Sequence, residues 1–339
     1  MSSDDHSVRF LSEAEVGRCV TMLDAVPVAE EVLAGMGRGT VEMPPKVLLD
    51  LARFGYDSYC NSMPSYIDSR HVSGIKWGGG FAANYKLGIP YMVQTLIMAS
   101  PVTGVPQAIM SATRLTSLKT GAETAVAGKF LARHDKPLVV TIVGVGDQGH
   151  GNLEAWVAAD RLGSVSVEEI RLFDLDRDKC ARAASEVAAG WAKPIRVADD
   201  LEAAVSTSDV LVTTTTARTP FVKAAWLHEG MFLASLGSHQ EFEDDAIRRA
   251  DAIVVDSWAQ NEHRGELKLF VERGEITRQH IRAELPEIVA DRAPGRRNDG
   301  EIILASLIGL GSIDLGIATV ALANAEAGEV GALVPFFGR

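Results

Sequence analysis

The apolar positions of this chain change period along its length, and each change marks a different kind of element. Over residues 11–37 they recur at helical spacing, as in Val16, Cys19, Val20, Leu23 and Val26. Pro27 suits the first turn of a helix and not its interior, so two helices are expected before the Pro44-Pro45 break. Between residues 47 and 108 the texture shifts to short runs punctuated by Gly, Pro and Asn: VLLDL, SGIKWGG and YMVQTLIMA. That is the pattern of antiparallel strands joined by hairpins. Residues 116–132 read as a helix of small side chains, suited to close packing.

From Pro137 onward the rhythm becomes strand, helix, strand, helix. The strands PLVVTIVGV, EIRLFDL, DVLVTTTT, MFLASLG and AIVVDS are short, continuous apolar runs. Runs without polar alternation belong in a parallel sheet covered on both faces. A last apolar run, EIILASLIGLG, and a helix, DLGIATVALANAEA, close the chain and are expected to return to the first domain. A length of 339 residues also favours two domains over one core.

Within the first of these strands lies the sharpest local signal, Gly144-Val145-Gly146-Asp147-Gln148-Gly149, which follows VVTIV and opens a helix. Three glycines in this spacing allow a tight turn, close approach of a pyrophosphate to the backbone, and close packing of strand on helix. The helix start supplies N–H donors and positive dipole to a phosphate. Asp174, ending the next strand IRLFDLD, is placed to accept the ribose hydroxyls of an adenosine. With Asp176 close behind, it repels a 2′-phosphate and favours NAD over NADP, whereas Arg177 leaves NADP open. As helix caps, aspartates also have a purely structural use. The residues at the ends of later strands, Thr214, Thr216, Gly237 and Gly309, are placed on the cofactor side. The expected fold class is therefore α/β, with a Rossmann doubly wound parallel sheet over residues 126–311. It is inserted in a discontinuous α+β substrate and dimerisation domain made of residues 1–125 and 312–339.

Charge narrows the partners. The formal net charge of −12 is spread along the chain, which disfavours nucleic acid and anionic membrane surfaces. Cys19, Cys60 and Cys180 are far apart and show no metal-ligand spacing, so they read as reduced thiols of a cytoplasmic protein without a metal site. The start, MSSDDHSVRF, is too acidic for a signal peptide, and no apolar run approaches the roughly 20 residues of a membrane span.

The chain resembles the ornithine cyclodeaminase/mu-crystallin family. The resemblance rests on Met43-Pro44-Pro45-Lys46, Met63-Pro64-Ser65-Tyr66, Gly74-Ile75-Lys76, Thr116-Ser117-Leu118-Lys119-Thr120-Gly121-Ala122, the glycine loop, and Gly309-Leu310-Gly311-Ser312-Ile313-Asp314. It implies an NAD-dependent enzyme of a small amino or imino acid, working as a homodimer joined through the strands of residues 47–108. It places the catalytic lysine at Lys76. Two arginines expected to grip the substrate carboxylate are replaced by Lys46 and Lys119, a point charge in place of a planar fork. Asn84 falls near the family's nicotinamide position. The two acids associated with cyclodeamination are replaced by Asn61, on the substrate side, and His239, a candidate second acid/base.

Three readings follow. The first is an NAD-dependent dehydrogenase or imine reductase acting on an imino acid, or on a keto acid plus amine, with a dicarboxylic substrate such as iminosuccinate suggested by the several cations. The second is a cyclodeaminase that recycles its NAD, and the third a mu-crystallin-like ketimine reductase or binding protein. Lys76, flanked in sequence by apolar Ile75 and Trp77, is expected to sit in an apolar setting that tunes it for proton transfer.

Overall fold

The structure is a computed structural model that describes residues 6–337. In chain order the strands are β1 (Ser7–Leu11), β2 (Val41–Glu42), β3 (Val47–Asp50), β4 (Tyr59–Ile67), β5 (Val72–Gly80), β6 (Met92–Ala99) and β7 (Pro106–Ser111). They continue with β8 (Leu138–Val143), β9 (Val167–Phe173), β10 (Ile195–Val197), β11 (Val210–Thr213) and β12 (Phe232–Ser235). The last are β13 (Ala252–Val255), β14 (Ile281–Glu284), β15 (Ile303–Ser306) and β16 (Ala332–Pro335). Two compact units result, one of Met1–Lys119 with Leu310–Arg339, the other of Thr120–Gly309. Their limits fall inside the helix Thr113–Leu131 and just before the helix Gly311–Ala327. The first lies N-terminal to the division at 125/126 expected from the pattern, because a continuous small-residue helix carries no composition break, and the second lies just before the expected 311/312.

The first unit is an eight-stranded sheet in the order β16-β1-β7-β6-β5-β4-β2, with β3 added on β4. From β4 to β7 each strand pairs antiparallel with the next, as the hairpin texture predicts, while β1 joins β7 in parallel. One face of β4 and β5 is covered by the helix Gly311–Ala327, which packs in turn on the helix Met22–Arg38. That second helix starts at Thr21, whose hydroxyl and backbone N–H both meet the Asp24 carboxylate in a capping box. Pro27 consequently lies inside the helix and not in its first turn: the cap decides the start, and the proline forgoes one backbone bond.

The second unit is a wholly parallel sheet in the order β10-β9-β8-β11-β12-β15-β13-β14. Between β8 and β11 the direction of winding reverses, the place where open α/β sheets bind ligands. Leu211, Leu233, Val255, Phe242, Phe270 and Trp226 pack a core on one side of this sheet. The expected doubly wound fold is present. The edge strands β10 and β14 escape the pattern because they are three and four residues long and alternate with half-buried positions.

Candidate active site

In the second unit the glycine turn sits at the reversal point. Gly144 has φ +88°, a left-handed conformation that a side chain would strain. A Cβ on Gly149 would fall 1.9 Å from the carbonyl oxygen of Gly144, so only glycine lets the helix Asp147–Arg161 start so close to β8. Around Gly146 a Cβ would meet no atom within 4 Å, leaving that side of the turn open beside the first-turn N–H groups of the helix. These groups, Asp147 and Gln148 among them, fit an anionic pyrophosphate. The side-chain Oε1 of Gln148 is buried and has no partner.

Asp174 is tied into this turn. Its Oδ2 accepts the Val145 N–H at 2.7 Å and its Oδ1 the Asp176 N–H at 2.9 Å. Each carboxylate oxygen keeps further lone-pair capacity for ribose hydroxyls. The cap of the next helix is Asp176, which accepts from the N–H groups of Asp178 and Lys179. The two aspartates thus divide the two uses that the sequence allows for either, and Asp176 is engaged in capping, worth about 1 kcal/mol.

Across the reversal point, Thr214 donates its hydroxyl to the Gly144 carbonyl at 2.6 Å and holds the turn shut from the β11 side. Thr216 is exposed. Gly237 is buried where a Cβ would come within 2.6 Å of Glu241 Oε2, whereas His239 lies exposed in the same loop after β12. The Gly309 N–H donates to Asp256 Oδ2 at 2.5 Å, so this glycine ties the loop after β15 to the end of β13.

Two buried acids anchor the loop that carries His239, and neither has a sequence signal. Glu266 accepts the Ser235 hydroxyl at 2.7 Å and the Glu241 and Phe242 N–H groups at 3.0 Å each. Burial pushes its carboxyl up to about 7. Glu241 accepts the Thr215 N–H at 2.8 Å, and burial raises its carboxyl too.

In the first unit the register of the sheet assembles a second group. Asn61 of β4 lies opposite Gly78 of β5, and Gly78 opposite Gln94 of β6. In the next row of the same face Met63 lies opposite Lys76, and Lys76 opposite Leu96. Lys76 is 4% exposed, and its Nζ is 2.6 Å from Asp314 Oδ2 and 3.1 Å from Thr116 Oγ1. The expectation of an apolar setting set by Ile75 and Trp77 is corrected here: neighbours along a strand point to the opposite face, where Trp77 is 44% exposed. The immediate setting of the ammonium is polar and anionic.

Lys119 is buried and, three residues on from Thr116, falls on the same helix face. Lys46 is half-buried in the loop one residue before the β3–β4 ladder. Asn61 is buried with its Oδ1 unpartnered. Asn84 turns inward and donates to the Pro90 carbonyl at 2.7 Å, closing its own loop. Asp314, Thr116 and Gln94 carried no expected role. The one clue in the sequence is an acid in the first turn of a mostly apolar helix.

A doubly wound sheet with a carboxylate-pinned glycine turn at its reversal point, joined to a unit with a buried lysine, defines a protein of the Rossmann dehydrogenase class. The chain belongs to the ornithine cyclodeaminase/mu-crystallin family, whose profile matches residues 7–329. Its fold is similar to that of the Δ1-pyrroline-2-carboxylate reductase of Thermococcus litoralis in complex with NADH and L-proline. That likeness has a TM-score of 0.87 and 28% identity, over 96% of this chain and 100% of the other. An archaeal alanine dehydrogenase dimer with bound NAD matches at a TM-score of 0.87 and 32% identity, over 98% and 100%. The iminosuccinate reductase of Paracoccus denitrificans in complex with NAD+ matches at 0.86 and 25%, over 97% and 100%. Among the described residues no helix is long and apolar enough to cross a membrane, and no cluster of three or more His, Cys, Asp or Glu is placed to hold a metal ion.

Proposed function

We propose that this chain is an NAD-dependent reductase that converts a small imino acid, or a keto acid plus an amine, to an L-amino acid. The observation that carries the reading is the glycine turn pinned to Asp174 at the reversal point of the sheet. The glycine-turn N–H groups would hold the pyrophosphate and Asp174 the ribose. Bound NADH supplies the hydride. Lys76, fixed on the face of β5, is the proton donor, and Lys46 and Lys119 grip the substrate carboxylates. Lys46 and Lys119 offer one cation for each carboxylate of a dicarboxylic substrate, and the similarity to an iminosuccinate reductase supports that class.

Cyclodeamination is disfavoured because the amide of Asn61 and the exposed imidazole of His239 stand where the family resemblance implies carboxylates for that chemistry. Supplying NADH with mono- and dicarboxylic imino acids and following the near-ultraviolet absorbance separates the readings. Net loss of NADH is expected, fastest with a diacid; ammonia release from a diamino acid at constant NADH contradicts the proposal.

The working form is a homodimer, as in the archaeal relative. Val47, Leu48 and Leu49 of β3 are all exposed, an apolar edge that a second copy would cover. Sedimentation at micromolar concentration should give twice the chain mass; a stable monomer contradicts this.

A further inference from the structure

We propose that Asp314 is the positioning residue for Lys76, and that the Gly74-Ile75-Lys76 and Gly309–Asp314 blocks form one device. This rests on the reading of Lys76 as the proton donor. Asp314 is fully buried in the first turn of the helix Gly311–Ala327, where the helix dipole favours an anion. Its Oδ2 holds the Lys76 ammonium at 2.6 Å, and its Oδ1 is 3.2 Å from Thr116 Oγ1. Thr116 Oγ1 accepts from Lys76 at 3.1 Å. With a single proton it donates to one of Asp314 Oδ1, the Ala112 carbonyl or Gln94 Oε1, all in reach. Two of the three N–H donors of Lys76 are thereby aimed.

Glycines at both ends make the approach possible. A Cβ on Gly74 would lie 2.7 Å from Leu315 Cδ1 and 2.6 Å from the Ile97 carbonyl oxygen, and one on Gly311 would lie 2.8 Å from Met63 Cβ. Met63 is the cross-strand partner of Lys76. The helix therefore rests on the sheet at the lysine, and the close approach serves the ion pair. Stability does not require such a pair, since well-packed apolar residues of similar volume are often as stable as a buried ion pair. Its use is geometric: a flexible four-carbon side chain is turned into a fixed donor.

The test compares Asp314→Asn, which keeps the shape and removes the charge, with Asp314→Glu, which restores it. Asp314→Asn should lower kcat about 100-fold, the lower end of what a positioned acid/base contributes. KM and NAD affinity should stay within a few-fold, and Asp314→Glu should recover part of the kcat. A readout independent of activity is the side-chain NMR signal of 15N-labelled lysine. A solvent-protected ammonium resonance, identified by its loss in Lys76→Arg, should be present in the wild type and vanish in Asp314→Asn. Wild-type kcat in Asp314→Asn, or a persisting protected resonance, overturns the proposal. If Asp314→Asn does not fold, Thr116→Val carries the same test, with a kcat loss smaller than that of Lys76→Ala expected and an unchanged kcat counting against it. A wild type inactive with every imino acid sinks the functional reading alone, because the resonance still reports on the pair.

Discussion

Asp314 in the first unit and Glu266 in the second are both fully buried carboxyls, yet they are held in different ways. Asp314 meets an ammonium and a hydroxyl, whereas Glu266 meets a hydroxyl and two backbone N–H groups. The first arrangement makes a fixed ion pair on a sheet face. The second leaves a carboxyl whose burial is only partly compensated, raised to about 7, with the neighbouring Glu241 raised as well. Equal burial thus accompanies two different kinds of donor, one charged and one neutral.

Removing Lys76 should have the largest effect. Lys76→Ala should lower kcat by about two to four orders of magnitude while the NAD dissociation constant stays near wild type. It also strands Asp314, so the melting temperature should fall, by an amount equivalent to roughly 3–5 kcal/mol. The double variant Lys76→Met/Asp314→Asn should recover stability without recovering turnover. Calorimetry and steady-state kinetics on the same samples check both halves, and a double variant no more stable than Lys76→Ala would deny that the two charges are coupled.

Glu266 should produce a smaller effect of a different kind. Its folded pKa is raised from 4.5 to about 7, so its contribution to stability is fully present below 4.5 and is lost as pH rises through 7. The loss is on the order of 3 kcal/mol, about 1.4 kcal/mol for each unit of displacement. Melting temperature should therefore decline between pH 5 and pH 8, and Glu266→Gln should flatten the decline. An equal slope in wild type and variant would assign the pH dependence to other groups.

Asp174→Ser should weaken NAD binding about 10- to 100-fold, the equivalent of one or two lost charge-assisted hydrogen bonds, and relax discrimination against NADP. Part of that loss comes from the Val145 N–H that Asp174 holds. Equal wild-type efficiency with both cofactors would show that this carboxylate does not read the ribose. Smallest is Lys46→Ala, expected to raise KM about 10-fold at unchanged kcat if Lys46 binds ground and transition states alike. A fall in kcat alone would move Lys46 from binding to catalysis.

The two regions also differ in how much of them a sequence discloses. The glycine turn is local: Gly144, Gly146, Gly149 and Asp174 lie within one strand-helix-strand unit, and the spacing alone places them on one turn. The buried lysine group is assembled from afar. Lys76 and Asp314 stand 238 residues apart, and only the closure of the C-terminal helix on β4 and β5 joins them. Flanking residues mislead in a strand, where Ile75 and Trp77 face away from Lys76. Glu241 and Glu266 are invisible because charged letters in loops read as solvated. Asn84 and Gly309 stand at strand and loop ends that the pattern picks out, but the Asn84 amide closes its own loop and the Gly309 N–H is held by Asp256 at the end of β13.

The central claim is net hydride transfer to a substrate, and isotope transfer measures it directly. NADH carrying deuterium at both C4 positions would be incubated with the most rapidly reduced imino acid and the products weighed by mass spectrometry. Hydride transfer predicts an amino acid heavier by one mass unit, formed one-for-one with NAD. An unlabelled product, with ammonia released and the deuterium still on the cofactor, would contradict it.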